Sequence, residues 1–269
     1  MKINFTAILN TFERKKRDEN LYLSLNSILN QTLKPDEILI INSGKNKLNI
    51  SKKFKTNNRK IDIYNFDSKI GISKKRNIGS KKSSSKFLAY LDDDDEWDKH
   101  YLEKSYKFIK QNTDANIIIS DVYIKNKKKI KLFKKPRSTD LHDYFKYNPG
   151  AMGSNIIIKK NYYKKFGGFD ESLIVSEDKS FVIDALLRSQ KIFFQENFVF
   201  YNINNEESIT KKAKIMAIGI KKFYLKYKNY MKIKDKIHNH SKIYFYKKQL
   251  NILYIFHYLF FLLLNKIYE

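Results

Sequence analysis

The chain has 269 residues, with 54 Lys and Arg against 28 Asp and Glu, a formal charge of +26 and no cysteine. That length buries a sizeable core, enough for one α/β domain with an appendage, and the missing cysteine excludes a disulfide framework and any thiolate metal site. The charge permits anionic partners without diagnosing one: only six of the basic residues are Arg, the side chain whose planar fork reads base edges, and the Lys, Asn, Ile and Tyr richness is what an AT-rich coding sequence produces.

In chain order, Ile3 to Leu9 reads as a strand and lacks the longer apolar core and cleavage signal of a secretory peptide, so the protein is expected to stay inside the cell. Leu21 to Asn30 carries Leu21, Leu25, Ile28 and Leu29 at helical spacing, and Glu37 to Ile41 is a short buried strand after Pro35. Ile61 to Phe66 is the next strand. Gly71 to Ser83 runs from a loop into a helix, and Phe87 to Leu91 is again a buried strand. This β-α-β-α alternation predicts a mostly parallel sheet with helices on both faces, in which ligands bind beyond the carboxyl ends of the strands.

At one such end stand Asp92, Asp93, Asp94 and Asp95, followed by Glu96 and Trp97. Crowded like charges repel and are costly to desolvate, so the run points to a bound hard cation, since every side chain there offers oxygen. Mn2+ or Mg2+ fits, held by one or two carboxylates and completed by phosphate oxygens and water. The competing reading is a solvated acidic turn that caps a helix starting near Lys99.

Beyond it, Ala115 to Lys125 and Ile130 to Phe133 read as two strands joined by the basic Lys125 to Lys129 turn, hence antiparallel. A short helix near Leu141 to Tyr147, a break at Pro149-Gly150, a strand through Asn155 to Ile158 and the turn Gly167-Gly168-Phe169-Asp170 follow. Glu177-Asp178 opens a helix over Lys179 to Ser189; by position alone the two acids are caps. Residues 211–269 change character: Lys211 to Lys248 is rich in Lys and Tyr, and Leu250 to Leu264 is apolar except for Asn251 and His257. That run is short of the ~20 residues needed to span a bilayer and suits a segment lying in a membrane interface, with 243–264 as the contact. No His has a partner at metal-ligand spacing.

The order of these pieces resembles the inverting, GT-A-fold glycosyltransferases of family 2 over residues 3 to 205. Leu9-Asn10-Thr11-Phe12-Glu13-Arg14 is similar to the family's Pro-Thr-Tyr-Asn-Arg exit from the first strand. Gly71 to Gly79 is similar to its Gly-x-x-x-Ala-Arg-Asn-x-Gly segment, the Asp run to its Asp-x-Asp motif, and Gly167 to Asp170 with Glu177-Asp178 to its late Gly-Phe-Asp and Glu-Asp elements. The resemblance implies a GT-A domain over 1–210 and a helical tail over 211–269. It implies Thr11, Phe12 and Arg14 at a nucleotide-base pocket, Arg76 approaching base or diphosphate, and Asp92 and Asp93 on the nucleotide sugar. Asp94, with Asp92, would hold the metal, and Asp95 and Trp97 would face the acceptor. Asp178 would be the general base and Glu177 would orient its loop. Asn42-Ser43-Gly44-Lys45 departs from the family's Asp-Asp-Gly-Ser, so a carboxylate on the base becomes an amide and a hydroxyl.

The implied activity is transfer from a nucleoside-diphosphate sugar, uridine by default, to a hydroxyl of a surface glycan (lipopolysaccharide, O-antigen or capsule) on a lipid-linked acceptor. The implied location is cytoplasmic and peripheral on the inner membrane face, with no specific nucleic acid. Two other classes stay open. A glycoside hydrolase would use the acidic clusters as acid and base, but four adjacent Asp place a single protonated acid poorly. A non-catalytic polybasic module would bind nucleic acid or membrane. A nucleotidyltransferase is disfavoured because Asn10 to Lys16 holds no Gly for a phosphate loop.

Overall fold

The computed structural model describes residues 3–14, 17–48, 50, 61–125, 130–133, 137–203 and 209–247. The expected interfacial segment Leu250 to Leu264 and most of the Lys125 to Lys129 turn lie outside them. Four strands, β1 (Phe5–Phe12), β2 (Glu37–Ser43), β3 (Ile61–Phe66) and β4 (Phe87–Asp92), lie in the order β3-β2-β1-β4 and are parallel. The order reverses at β1: its next strand, β2, lies on one side and the later β4 on the other. A crevice therefore opens beyond the carboxyl ends of β1 and β4, where Asn10 is in register with Asp92.

The other half of the sheet is mainly antiparallel. β8 (Ile156–Lys159) pairs antiparallel with β4, and β6 (Ile117–Lys125) pairs antiparallel with both β8 and β7 (Ile130–Phe133). β9 (Phe193–Asn202) runs parallel to β6 and carries β5 (Glu96–Trp97) antiparallel on its other edge. Only Asp93, Asp94 and Asp95 separate β4 from β5, yet the two strands stand at the middle and the end of the strand order. The sheet curls to bring them together, and the acidic turn sits inside that curl.

Alternate residues on the central strands feed two cores, as a sheet covered on both faces requires. Ile8, Leu39, Ile41, Leu88 and Tyr90 face one side and Leu9, Ile38, Ile40, Ala89 and Leu91 the other. The second core is closed by α1 (Arg17–Leu29) and α3 (Tyr101–Gln111), through Leu21, Leu25 and Ile28 and through Tyr101, Leu102 and Ile109. Over the first core lie α2 (Ile72–Lys82), α4 (Leu141–Lys146), α5 (Lys160–Phe166), α6 (Glu177–Leu186) and α7 (Ala213–Tyr227). The basic stretch from 211 is thus packed on the same core: Phe223, Tyr227 and Met231 are buried in it. α8 (Ile233–Lys247) is pinned to α4 by His142 Nδ1 to Asp235 Oδ2 at 2.6 Å and by Asn239 Nδ2 donating to the Phe145 carbonyl at 2.9 Å. Among the described residues no helix is long and apolar enough to cross a membrane.

Candidate active site

The four consecutive carboxylates, one at the end of β4 and three in the turn after it, divide by burial. Asp93 and Asp95 turn inward and are each 2% exposed. Asp93 accepts from Thr11 Oγ1 and from Arg14 Nη2, both at 2.6 Å. Asp95 accepts from Ser154 Oγ at 2.6 Å and from the Asn202 backbone N–H at 3.3 Å. Burial pushes Asp93 up to about 6 against the pull of Arg14. It raises Asp95 well above the carboxylate range, reinforced by Asp94 and Asp92. Asp92 and Asp94 keep side-chain exposures of 28% and 22%. The turn is therefore no solvated cap; the turn that leads into α3 is instead made by Asp98, whose carboxylate accepts from His100 N and whose carbonyl accepts from Tyr101 N.

Arg76 lies behind the exposed pair. It is 1% exposed, and its Nη2 donates to Asp92 Oδ2 at 3.0 Å while Nη1 donates to Glu177 Oε1 at 2.9 Å. Desolvation would depress this guanidinium, but Asp92 and then Glu177 outweigh it and raise it. In this arrangement Arg76 bridges β4 to α6 rather than reaching out toward a base or diphosphate. Its path crosses Gly153: a Cβ there would lie 1.8 Å from Arg76 Nη2, so only glycine admits it.

The Glu177-Asp178 pair is not a simple cap either. The position before the helix is Ser176, in the left-handed region at φ 63, with no side-chain cap bond. Glu177 is pushed up to about 7 by burial and by Asp178, with Arg76 opposing. Asp178 keeps partial exposure, accepts from the Lys179 backbone N–H at 2.6 Å, and is raised by burial against Arg76.

The turn before α6 is held by Asn77, the neighbour of Arg76. Its Oδ1 accepts from Phe169 N at 2.8 Å and from the Tyr163 hydroxyl at 2.9 Å, and its Nδ2 donates to the Phe169 carbonyl and Glu171 Oε1, both at 2.8 Å. Gly168 at φ +83 lets the backbone come in, since a Cβ would meet Asn77 Oδ1 at 2.6 Å.

At the exits of β1 and β2, Phe12 is half-buried and three cations lie over its ring: Arg14 at 4.6 Å, Lys75 at 5.3 Å and Lys69 at 5.6 Å. Lys75 is buried, donates to the Thr11 carbonyl at 3.0 Å, and burial pushes it down to about 8 against Asp93 and Asp92. Thr11 is buried on Asp93. Asn42 Nδ2 donates to Asn65 Oδ1 at 2.8 Å, while Asn42 Oδ1, Ser43 Oγ and both amide atoms of Asn10 are buried without a hydrogen-bond partner. Glu13 accepts from the Lys45 backbone N–H at 2.7 Å and from Asn46 Nδ2 at 2.5 Å, so it fixes the turn after β2.

Burial corrects three expectations. Asp93 does not face the nucleotide sugar: it is 2% exposed and held by Thr11 and Arg14. Trp97 does not face an acceptor: it is 3% exposed, its indole N–H donates to the Ser154 carbonyl at 3.0 Å, and its ring stacks on Tyr101 at 4.8 Å. Asp95 is likewise interior. Residues that sequence reasoning passed over are Lys69, Lys75, Gly153 and Ser154; the last also accepts from the Asp92 backbone N–H at 3.0 Å. The small polar run Gly153-Ser154-Asn155 before a strand was the available signal.

A family model described as Glycosyl transferase family 2 matches residues 6–167. The chain belongs to that family. It is 28% identical over 232 residues to an uncharacterized glycosyltransferase of Methanocaldococcus jannaschii, covering 83% of this chain and 78% of that one. It is 26% identical over 215 residues to the poly(ribitol-phosphate) beta-N-acetylglucosaminyltransferase TarP of Staphylococcus aureus, covering 75% of this chain and 63% of that one. The crystal structure of S. aureus TarS 1-349 in complex with UDP-GlcNAc superposes with a TM-score of 0.62 over 91% of this chain and 71% of that one. At 15% identity that likeness shows the fold. The protein is a glycosyltransferase with the GT-A fold.

As a family 2 site, the crevice offers a cation two half-exposed carboxylates, Asp92 and Asp94, with only oxygen donors. Among the described residues no three His, Cys, Asp or Glu side chains are gathered into a self-sufficient metal cluster. A pair of carboxylates fits Mg2+ or Mn2+ when diphosphate oxygens and water complete the shell.

Proposed function

We propose that the protein catalyses metal-dependent, inverting transfer of a sugar from a nucleoside-diphosphate donor, a UDP-sugar, to a hydroxyl of a surface glycan. The observation that carries this is the buried Arg76, which ties Asp92 at the acidic end of β4 to Glu177, the neighbour of Asp178 in the first turn of α6, with the cation-ringed Phe12 at the exit of β1. An aromatic face ringed by cations suits a base with phosphates beside it. The unpartnered Asn42 Oδ1 and Ser43 Oγ offer an acceptor and a donor, which matches a base edge with one N–H and one carbonyl, as in uracil. The UDP-GlcNAc and UDP complexes of TarS support the same donor class, and the name of TarP, a poly(ribitol-phosphate) beta-N-acetylglucosaminyltransferase, supports a polymer as acceptor.

Asp92 and Asp94 would hold Mn2+ or Mg2+, which would supply positive charge against the leaving diphosphate. Asp178 takes the proton of the acceptor hydroxyl as its oxygen attacks the anomeric carbon, and its raised pKa makes it a better base than a solvated Asp. One in-line displacement inverts the anomeric centre. Glu177, held by Arg76, fixes the first turn of α6 and thereby the position of Asp178. The protein acts at the cytoplasmic face of the membrane, where a lipid-linked acceptor is presented.

The test is a thermal-shift titration with UDP, GDP, CDP and dTDP, with and without Mn2+, on wild type, Asp94→Ala and Asp178→Asn. The expected result is stabilisation by UDP only with metal, lost in Asp94→Ala and kept in Asp178→Asn. No response to any diphosphate would overturn the reading.

A further inference from the structure

We propose that the outward face of α7, continued at the start of α8, is a docking surface for an anionic lipid bilayer. α7 buries Ala217, Ile220, Phe223 and Tyr227. Its opposite side exposes Lys214, Ile218, Lys221, Leu225 and Lys228, spaced four and three residues apart in alternation. At 100° per residue these five fall within an arc of about 80°, so they form one stripe in which lysines alternate with aliphatic side chains. Ile218 and Leu225 are 45% and 50% exposed, and Ile233, at the first position of α8, is 76% exposed.

The charge of this region is patterned differently from the rest of the chain. Residues 211–247 contain twelve Lys, no Arg and a single acid, Asp235, whereas the first 210 residues contain 26 acids. Asp235 is 2% exposed and is engaged by His142 and the Lys232 backbone N–H, so the outer surface of the hairpin carries no carboxylate. Uniform mutational bias toward Lys would not place apolar residues in register between lysines, nor remove the acids from one surface only.

An anionic bilayer fits both components. The ammonium groups meet lipid phosphates at the headgroup level while Ile218, Leu225 and Ile233 enter the acyl boundary. A nucleic-acid backbone would satisfy the lysines and leave the aliphatic side chains wet. The chain itself supplies a second argument: the described residues close at Lys247 in α8, and in the sequence Leu250 to Leu264 follows, apolar but for Asn251 and His257. The stripe would hold the catalytic domain to the surface that this segment also suits. The inference does not depend on the donor or metal reading.

The experiment is co-sedimentation of the full chain with vesicles of phosphatidylcholine alone and of phosphatidylcholine mixed with phosphatidylglycerol, at low and high salt. The same is done for Lys214→Glu/Lys221→Glu/Lys228→Glu, for Ile218→Asn/Leu225→Asn, and for Ile255→Asn/Leu262→Asn in the following segment. Wild type should sediment with the phosphatidylglycerol vesicles only, and less at high salt. Three lysines at such a surface change binding by about a hundredfold, so the triple variant should lose at least that much while its melting temperature is kept. The Ile218/Leu225 variant should lose binding at both salts. Hydrogen exchange should slow in 214–228 on adding vesicles. The proposal fails if no vesicle is bound, if both vesicle types bind equally, if the triple variant binds as wild type, or if only the Ile255/Leu262 variant loses binding.

Discussion

Arg76 Nη1 and Glu177 Oε1 stand 2.9 Å apart with side-chain exposures of 2% and 12%, and this buried pair ties the middle of α2 to the first turn of α6. The same guanidinium reaches Asp92 at 3.0 Å. One cation thus fixes the distance between the acidic end of β4 and the helix that begins with Glu177 and Asp178. Breaking such a pair is costly because the partner left behind is charged and buried, whereas removing both members is far less so.

That asymmetry defines a double-mutant cycle. Arg76→Met should destabilise by about 3–5 kcal/mol, since Glu177 stays buried without its partner. Glu177→Gln keeps the hydrogen-bond geometry and should cost less. The double variant should be more stable than the sum of the two single losses predicts, with a coupling of about 1–3 kcal/mol. Urea unfolding of all four proteins measures it; strict additivity would mean that the pair is not formed in solution.

Stability should depend on pH in two opposed ways. Glu177 is pushed up to about 7 from the ordinary 4.5 by burial and Asp178. Between those values the folded protein holds a proton that the unfolded chain has released, so stability falls as pH rises from about 4.5 to 7. His238 is pushed down from 6.5 to about 3, chiefly by burial. Between those values the unfolded chain binds a proton that the folded protein refuses, so stability rises with pH over that window. Melting curves across pH 3–8 should show Glu177→Gln removing the loss on the way to neutrality and His238→Asn removing the loss toward acid.

Gly153 should tolerate nothing larger. Its missing Cβ leaves the space through which Arg76 passes, at 1.8 Å from where that atom would be, whereas a Cβ on Gly71 would meet nothing within 4 Å. Gly153→Ala is expected to displace the guanidinium, cost about 1–3 kcal/mol as an overpacked core does, and lower transferase activity at least tenfold. Gly71→Ala should stay within about 0.5 kcal/mol of wild type, as a surface change does. Equal effects in a denaturation and turnover comparison would contradict the packing described for Arg76.

Much of this was legible because the physics was local. The strands β1, β2 and β4 carry apolar runs buried on both faces, and the acidic end of β4 has no ordinary folding rationale, so both stand out in the sequence. β9 does not stand out, because its interior positions Gln195 and Asn197 are polar. Gln195 Nε2 donates to Ser105 Oγ at 2.9 Å and Ser120 Oγ at 2.8 Å, and Asn197 Nδ2 to the Tyr101 carbonyl at 2.7 Å. Such partners come from distant elements and leave no periodic trace. The same holds for Trp97, whose size and place beside the Asp run suggested an exposed contact but whose indole closes the core against Ser154. Two-residue β5 was invisible because a strand that short has no pattern.

The acidic quartet should separate under mutation into two functions. Asp93 is buried against Arg14, whose side chain is 3% exposed, so Asp93→Ala strands a buried cation and should cost about 3–5 kcal/mol. Asp95→Ala leaves Ser154 Oγ and the Asn202 N–H without their acceptor and should cost about 1–3 kcal/mol. Asp94 is partly exposed and lies 3.9 Å from Arg14; a pair at that distance contributes at most about 1 kcal/mol. Asp94→Ala should therefore fold nearly as wild type while losing the metal-dependent response to UDP. Denaturation and diphosphate titration on the three variants give the pattern directly. If Asp94→Ala unfolds the protein while Asp93→Ala and Asp95→Ala do not, the inward and outward assignments of these carboxylates are reversed, and the cation belongs on the buried pair instead.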